Sequence, residues 1–536
     1  MPTHVRDAVF DNLRRRGMTT IFANPGSTEV AFLGGMPDDF EFVLGLHESS
    51  VVGMAAGYAI GRGRPAFVLL HTTAGLGNAV GAIATARVNR APLVIVVGQQ
   101  DRRHLALEPF LAGRLAGLAG DYPLDVLVPE RGPDVPSAIE RAGFIAAQGS
   151  GPVLVIVPMD DWEAEAEPDA VAAPAASYAA PRGVPDQIAD VADLIRGAGS
   201  LAIVVGSGND TADGWRALTA LAEHLDAPVW IEPFGSRAGF PQDHRLYQGQ
   251  VPADRPRVRS TFAGYDAVLV VATHALRQYP FRDGPLFPDG TRVAVLTADP
   301  DQANRSAADL ALTGDVSAML AALTATLPAA STHRPASPPA GAAFALPPPG
   351  DGEPVRAAHV FALLAGALPA DTILVEESPS SRPALQAMVP ARAPLGFVSA
   401  AMGGLGFALP AAIGLKKALP QRPVVAVVGD GSAMYSIQAL WSAGEQVAGV
   451  VFLVMANGTY AVMDRLAEQR DGKSAWPQFP QISVAQIARG YGIQARRIEG
   501  YAALTAAIAE VTDGIAERRE PILLEIAVQP DATFAP

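Results

Sequence analysis

The chain has 536 residues, 49% of them apolar and 18% charged, and its formal net charge is −14. This composition excludes a disordered chain and a coiled coil, and the length suits about three domains. The sequence contains no cysteine, which excludes disulfides, thiolate zinc sites, iron–sulfur clusters and cysteine nucleophiles. The acidic charge, without a basic patch, argues against nucleic-acid binding.

The first residues, MPTHVRDAVFDNLRRRG, place arginines and acids among apolar residues at helical spacing. They lack the apolar segment of a signal peptide. No apolar run in the chain approaches the roughly 18 residues that a membrane-spanning helix needs. The sequence therefore predicts a cytoplasmic protein that does not bind a membrane.

Short apolar runs alternate with Ala- and Leu-rich helical stretches along the whole chain. The candidate strands are 66–70, 92–97, 152–157, 201–205, 267–272, 292–297, 372–375, 424–428, 450–455 and 522–528. Continuous apolar runs of this length suit strands buried on both faces, as in parallel sheets covered by helices. The alternation therefore predicts an α/β fold.

Two segments interrupt the alternation. Residues 163–186 are rich in Ala and Pro, and residues 326–352 hold seven prolines. Both predict Pro/Ala-rich linkers that join three doubly wound parallel-sheet domains, at 1–165, 185–325 and 353–536. The first and third domains look alike in plan, because their strands end in Gly-rich turns that open helices.

Three polar residues of the first domain follow predicted strands. Ser27 lies in TTIFANPGSTE, Glu48 in LGLHESS and His71 in FVLLHTTAGLG. Strand ends of neighbouring α/β units are where such folds build ligand sites. Each residue alone also suits a structural role: a cap for Ser27, a helix-dipole contact for Glu48 and a hydrogen-bonded core residue for His71.

The third domain contains VVAVVGDGSAMYSIQALW followed by MANGTY. The turn after the first strand carries Asp430, Gly431 and Ser432, and the next strand ends at Asn457, before Thr459. A Gly-rich turn and a helix N-terminus suit a phosphate, and the Asp430 and Asn457 oxygens with the Thr459 carbonyl suit Mg²⁺. The alternative is that both motifs are ordinary turns. One helix is predicted after the first turn, with apolar residues at Met434, Ile437, Leu440 and Trp441.

Two other glycine motifs are excluded as nucleotide sites. The GKS at 472–474 is not a P-loop, because Ala467 occupies the position of the required glycine. GSGND at 206–210 lacks the third glycine of a dinucleotide fingerprint, so the middle domain is not expected to bind a nucleotide.

Taken together, these segments resemble the thiamine diphosphate-dependent decarboxylases, and within that family the benzoylformate decarboxylases. The matching stretches are FANPGSTE, LHESSVVGMAAGYA, LHTTAGLGNAVGA, VVGQQ, VPMDDW, AMGGLGFALPAAIG, GDGSAMYSIQALW and NGTY. The resemblance covers the whole chain and implies a pyrimidine-binding domain, a middle domain and a diphosphate-binding domain, in that order.

The resemblance implies thiamine diphosphate and Mg²⁺ (or Ca²⁺) as cofactors. It assigns the metal to Asp430, Asn457 and Thr459. It assigns contacts with thiamine diphosphate to Asn78, Ser380, Gly403, Leu405, Gly431, Ser432 and Tyr435. It also implies a homodimer that forms the active sites between two chains, and a homotetramer of such dimers.

The resemblance further implies non-oxidative decarboxylation of a small-molecule 2-oxo acid to an aldehyde and CO₂. Glu48 would activate the pyrimidine ring, Ser27 would hold the substrate carboxylate and His71 would relay protons. An aromatic or bulky substrate is expected from the apolar candidates Phe110, Leu111, Val462 and Leu466.

The sequence departs from the benzoylformate decarboxylase pattern at one position of the middle domain and one of the third domain. Tyr279 stands where that group has its second catalytic histidine, and Leu466 stands where it has an aromatic residue. These departures leave open a carboligase or acetolactate synthase-like enzyme on the same cofactor. A cofactor-free structural relative is the third possibility, against which Glu48, Asp430 and Asn457 argue.

Overall fold

Three parallel six-stranded sheets account for the apolar runs of the sequence. The structure, a computed structural model, describes residues 3–167, 185–330, 340–350, 352–470 and 472–530. Every predicted strand coincides with a strand, and the α/β class with three doubly wound sheets is confirmed.

The two predicted linkers are described only in part. Most of 163–186 and the centre of 326–352 lie outside the described residues. The second linker contains a short 3₁₀-helix, Ala340–Phe344.

The first sheet has the strand order β2-β1-β3-β4-β6-β5, and all its strand pairs are parallel. Its strands are β1 (Thr20–Asn24), β2 (Glu41–Leu44), β3 (Ala66–His71), β4 (Leu93–Gln99), β5 (Val126–Leu127) and β6 (Pro152–Pro158). The helices of this domain are α1 (Val5–Arg16), α2 (Val30–Leu33), α3 (Glu48–Arg62), α4 (Thr72–Val88) and α5 (Val135–Gly149).

The middle sheet has the order β12-β11-β10-β7-β8-β9, that of a dinucleotide-binding fold. Its strands are β7 (Leu201–Val205), β8 (Val229–Ile231), β9 (Tyr247–Gln250), β10 (Ala267–Val271), β11 (Arg292–Thr297) and β12 (Leu310–Thr313). Its helices are α6 (Pro185–Arg196), α7 (Ala212–Leu225), α8 (Arg255–Phe262), α9 (Pro300–Asn304) and α10 (Val316–Thr326).

The third sheet has the order β14-β13-β15-β16-β18-β17, which repeats the order of the first sheet. Its strands are β13 (Ile373–Glu377), β14 (Phe397–Ser399), β15 (Val424–Gly429), β16 (Val450–Ala456), β17 (Gln494–Ile498) and β18 (Ile522–Ala527). Its helices are α11 (Ala357–Ala367), α12 (Arg382–Met388), α13 (Ala408–Ala418), α14 (Asp430–Ala433), α15 (Ala439–Glu445), α16 (Ala461–Glu468), α17 (Val484–Gly490) and α18 (Tyr501–Thr512).

The first and third domains share one apolar core, which is joined through α3 and α13. Glycines let the two helix backbones approach closely. A Cβ atom at Gly57 would lie 2.2 Å from the carbonyl oxygen of Ala411, and one at Gly414 would lie 1.9 Å from that of Met54. Any larger residue at these two positions would therefore push the two domains apart.

All three domains meet at Asn89, directly after α4. The Asn89 amide donates to the carbonyl oxygen of Ser399 (3.0 Å), and its side-chain oxygen accepts from the N–H of Ala401 (2.9 Å). The Asn89 carbonyl accepts from Arg237 of the middle domain (3.0 Å). The first and middle domains thereby hold the segment of the third domain that leads from β14 to Gly403.

Within the described residues, we find no helix that combines the length and the apolar character needed to cross a membrane.

Candidate active site

Glu48 is the first residue of α3 and is almost fully buried. One carboxylate oxygen accepts from the amide of Asn24, at the end of β1, and the other from the amide of Asn78 on α4, both at 3.0 Å. The carboxylate is therefore fixed in orientation by two neutral donors and has no cationic partner among the described residues. Each oxygen keeps lone-pair capacity for a further donor.

His71 ends β3 and belongs to a second network that the sequence did not predict. Its Nδ1 lies 3.0 Å from Oε2 of Glu29 and 2.9 Å from Oγ1 of Thr28. The Thr28 hydroxyl itself donates to Glu29, and the N–H of Gly26 donates to Oε2 of Glu29 at 2.7 Å. The Glu29 carboxylate accepts the hydrogen bond in each of these contacts. Nδ1 of His71 therefore carries a hydrogen, and Nε2 is left to exchange protons.

Ser27 is exposed on the short 3₁₀-helix Ser27–Glu29, next to the buried Thr28 and Glu29. It follows β1, whereas Glu48 follows β2 and His71 ends β3. These three strands are neighbours in the order β2-β1-β3. The fold therefore brings the three sequence-predicted residues together at the carboxyl end of the first sheet.

Asp430 and Asn457 follow the adjacent parallel strands β15 and β16. The Asp430 carboxylate accepts from the N–H groups of Gly431 (2.8 Å) and Gly458 (2.7 Å), and the Asn457 side-chain oxygen accepts from the N–H of Thr459 (3.0 Å). Burial raises the pKa of the Asp430 carboxyl, and the backbone donors oppose this.

A divalent cation fits this arrangement. Among the described residues no cationic side chain pairs with Asp430, and an unpaired buried carboxylate is costly. The described residues also form no group of three acidic, His or Cys side chains that could bind a metal without other ligands. Mg²⁺ suits such a site, because it takes few protein ligands and fills its shell with phosphate and water oxygens.

The turn after Asp430 differs from its prediction. The segment forms two short helices, α14 and α15, instead of the single helix expected. Between them the N–H groups of Tyr435 and Ser436 bond three residues back, to Ser432 and Ala433. Gly406 of the neighbouring loop packs against Tyr435 at this break.

The other predicted diphosphate contacts lie around this turn. Gly431 is buried, and a Cβ atom there would lie 2.7 Å from the Tyr460 ring. Ser432 is buried, whereas Tyr435 is 55% exposed. Ser380 is half-buried on the turn that follows β13.

Gly403 and Leu405 line a cavity of about 590 Å³, whose wall comes from the middle and third domains. Gly403 has φ +72°, a left-handed conformation that favours glycine, and nothing fills the space where its side chain would be. Tyr279 and Val462 belong to the same wall. The other apolar candidates do not: Phe110 is 88% exposed, and Leu111 and Leu466 lie elsewhere.

Glu377 holds the loop that carries Gly403 and Leu405, a role that the sequence did not predict. Its buried carboxylate accepts from the N–H groups of Gly406, Phe407 and Ala408, each at 2.7 Å. Burial raises the pKa of Glu377 to about 7, against these three bonds. Glu377 thus caps α13 and fixes the end of the preceding loop.

Within one chain the site residues form two groups. Ser27, Glu48 and His71 lie on the first domain, and Gly403 and Leu405 lie on the third. Gly404, between Gly403 and Leu405, lies against Thr85 of α4, where a Cβ atom would be 3.1 Å from the hydroxyl. His71 directly precedes α4, and the helix from there to Thr85 is about 20 Å long at 1.5 Å per residue. Within a single chain the loop therefore contacts α4 well away from His71.

Comparison with known proteins identifies the family. Models of thiamine pyrophosphate enzymes match at residues 3–115 (N-terminal TPP binding domain), 188–323 (central domain) and 380–526 (C-terminal TPP binding domain). A benzoylformate decarboxylase of Pseudomonas aeruginosa is 36% identical, over 98% of this chain and 99% of the relative. The chain belongs to the thiamine diphosphate-dependent enzymes. Within them it is a carboxy-lyase similar to benzoylformate decarboxylase.

Solved structures agree with this assignment. The thiamine diphosphate-dependent 4-hydroxybenzoylformate decarboxylase of Rhodococcus jostii RHA1 has a TM-score of 0.93 and 34% identity, covering 99% of this chain and 100% of its own. Benzoylformate decarboxylase from Polynucleobacter necessarius has a TM-score of 0.93 and 31% identity, covering 98% and 99%. A more distant relative, an acetolactate synthase large subunit of Escherichia coli, is 26% identical over 91% of this chain and 88% of its own.

Proposed function

We propose that this thiamine diphosphate enzyme decarboxylates a 2-oxo acid with an aromatic or bulky side chain to an aldehyde and CO₂. The observation that carries the proposal is the Glu48 carboxylate, held between the amides of Asn24 and Asn78 at the carboxyl end of the first sheet. The relatives named benzoylformate and 4-hydroxybenzoylformate decarboxylase support an aryl substrate.

Asp430, Asn457 and the Thr459 carbonyl would hold Mg²⁺, and Gly431, Ser432, Tyr435 and Ser380 would contact the diphosphate. When bound, thiamine diphosphate supplies the nucleophilic carbon and the electron sink that loss of CO₂ requires. Asn78 and Glu48 would contact the pyrimidine ring, with Glu48 accepting from a ring nitrogen. The Gly403 carbonyl would accept from its amine, and Leu405 would contact its rings from the cavity wall.

The remaining residues act on the substrate. Ser27 would donate to the substrate carboxylate from its exposed position. His71 would move protons at Nε2, because Glu29 holds the hydrogen on Nδ1. Tyr279 lines the cavity wall with Gly403 and Leu405 and would contact the substrate there.

The proposed site needs two copies of the chain. The cavity of Gly403 and Leu405 is lined by the middle and third domains, without Ser27, Glu48 or His71. A partner's first domain would complete it, so the minimal active unit is a homodimer. The homotetramer and the cytoplasmic location stay predictions, and a mass measurement in solution tests the first.

One assay tests the activity. The protein is incubated with thiamine diphosphate, Mg²⁺ and a panel of aryl and branched 2-oxo acids, and CO₂, aldehyde and acyloin are followed. We expect CO₂ and aldehyde in equal amounts, and loss of both when EDTA removes the metal. CO₂ release that does not depend on thiamine diphosphate would contradict the proposal.

A second candidate is carboligation on the same cofactor. The observation that favours it is Tyr279 in the cavity wall, where benzoylformate decarboxylases are expected to have a histidine. If the product carbon is protonated slowly after CO₂ is lost, an aldehyde can compete with the proton for it. Acyloin formed in excess of free aldehyde, without an added acceptor, would favour this candidate.

A further inference from the structure

The cavity beside Gly403 and Leu405 has a second set of wall residues that the proposed reaction does not use. Arg382 and Gln386 of α12 line it, together with Arg257 of α8. These side chains come from the middle and third domains, as the cavity itself does. All three side chains offer hydrogen-bond donors, so this part of the wall is polar, unlike the wall of an apolar substrate pocket.

The Gln386 residue is 5% exposed, and its side-chain amide has no hydrogen-bond partner among the described residues. The amide is not one of the sealed polar atoms without a partner, because it opens into the cavity that Gln386 lines. An amide that faces a cavity finds its hydrogen-bond partner inside it, either water or a ligand atom. Because Gln386 lines the cavity, a ligand atom inside the cavity can serve as its partner.

Arg382 has hydrogen-bonding capacity left over. One of its N–H groups donates to the carbonyl oxygen of Gly235 (3.0 Å), and its Nε lies 3.4 Å from Oε2 of Glu376. A guanidinium carries five N–H donors and no acceptor. With 18% of its side chain exposed, Arg382 can therefore donate further into the cavity.

The acidic residues of the same wall are already occupied. Oε1 of Glu376 accepts from the N–H of Ser378 (2.6 Å), and Oε2 accepts from the Ser399 hydroxyl (2.9 Å). Arg382 neutralises this carboxylate, and Glu377 accepts from three backbone N–H groups. The free hydrogen-bonding capacity of this part of the wall is therefore mainly that of donors.

We infer that Arg382 and Gln386 form a distal subsite that selects 2-oxo acids whose side chain ends in a carboxylate. A carboxylate accepts from a guanidinium and from an amide at the same time. An apolar side chain of equal size would leave the Gln386 amide unpaired, and unpaired polar groups are what sites use to reject such analogues. This inference rests on the proposed function, whose substrate class it narrows.

Binding to the holoenzyme tests the subsite without turnover. Calorimetry would compare terephthalate with 4-methylbenzoate, which has a similar size but a methyl group in place of one carboxylate. We expect terephthalate to bind about 10- to 100-fold more tightly. Gln386→Leu should reduce this ratio about tenfold, and Arg382→Met should reduce it further.

Two controls keep the result interpretable. Arg392→Met removes an arginine that pairs with Asp243 (3.7 Å) and does not line the cavity, so the ratio should stay at the wild-type value. Arg382→Met removes the counter-ion of Glu376, so its folding is checked by thermal melting. Gln386→Leu changes no charge and decides the inference if Arg382→Met does not fold.

CO₂ release separates the inference from the proposed function. We expect a higher kcat/KM for 4-carboxybenzoylformate than for 4-methylbenzoylformate. Release of CO₂ from neither acid would refute the proposed aryl decarboxylase, while the binding ratio still decides the subsite. Equal binding of the two benzoates by the wild type, or an unchanged ratio in Gln386→Leu, would overturn the inference.

Discussion

His71 is positioned by groups close to it in space but distant in the chain. The strand β4 runs beside β3, with Gly98 opposite His71, and a Cβ atom at Gly98 would lie 1.9 Å from the Glu29 carboxylate. The glycine therefore makes room for Glu29 under the imidazole. The buried Glu29 then determines which ring nitrogen of His71 carries the hydrogen.

We expect Glu29→Gln to lower kcat roughly 10²-fold, with little change in KM, because a glutamine amide no longer enforces one tautomer of His71. Steady-state kinetics on the best acid of the panel measures both constants. Glu140→Gln, which changes a buried carboxylate paired with Arg16 in the same domain, is the control and should leave kcat unchanged. A wild-type kcat in Glu29→Gln would show that Glu29 has no role in proton transfer.

Tyr279 stands where the resemblance predicts the second catalytic histidine of the benzoylformate decarboxylases, and it lines the cavity with Gly403 and Leu405. A phenol is a poorer proton donor near neutral pH than an imidazolium, so the last protonation should be slow. We expect the wild type to give a higher ratio of acyloin to aldehyde than Tyr279→His, with acetaldehyde as the added acceptor. Identical product ratios would mean that Tyr279 is not at the proton-transfer position.

At the scale of elements, the loop between β14 and α13 depends on a buried carboxylate. Glu377 ends β13 and satisfies three N–H groups at and just before the start of α13. Its pKa of about 7 lies above the ordinary glutamate value of 4.5, because burial disfavours the charged form. The folded protein therefore keeps this proton at pH values where the unfolded chain has lost it.

The folded protein stabilises the protonated Glu377 more than the unfolded chain does. Between about pH 4.5 and 7 the native state binds more protons than the unfolded state, so stability falls as the pH rises. We expect the wild type to lose about 2–3 kcal/mol more than Glu377→Gln between pH 5 and pH 8, because glutamine does not titrate. Urea unfolding at both pH values measures this, and parallel pH profiles would contradict it.

The sequence predicted central strands better than edge strands and loops. Strands such as β15 are continuous apolar runs because they are buried on both faces. The edge strand β17 is QARRI and is partly exposed, so it has no apolar signature. The helix expected after Asp430 is broken at Tyr435, where the loop with Gly406 packs against it, and helical spacing alone does not contain that contact.

The same reasoning applies to the candidate site. Ser27, Glu48 and His71 were identified because strand ends of parallel sheets converge, which local motifs predict. Glu29 and Asn24 stand inside the FANPGSTE stretch, but their partners lie on other elements. Asn89 pairs with Ser399, more than half the chain away, and no local pattern encodes that pair.

At the scale of the whole molecule, Asn89 links the first domain to the segment that leads to Gly403. We expect Asn89→Ala to lower thiamine diphosphate affinity about tenfold or more, because the segment loses two hydrogen bonds that fix it. Asn12→Ala is the control, since it removes a buried amide that bonds Pro136 within the first domain. Equal cofactor affinity in the two variants, measured by tryptophan quenching, would show that Asn89 does not position the loop.

The two halves of the proposed site lie on the first and third domains, whose sheets have equal topology, and we propose that two chains assemble one site. Co-expression of Glu48→Gln and Asp430→Ala chains with different affinity tags yields mixed dimers. If each site combines the first domain of one chain with the third domain of its partner, a mixed dimer has one site with both changes and one site with neither. If each site belongs to one chain, both sites carry a change.

CO₂ release by the purified mixed dimer, compared with the two inactive parent homodimers, is the most direct measurement. We predict that the mixed dimer recovers about half of the wild-type activity, since one of its two sites is intact. Mixed dimers as inactive as their parents, although they bind thiamine diphosphate and Mg²⁺, would contradict a decarboxylase site shared between two chains.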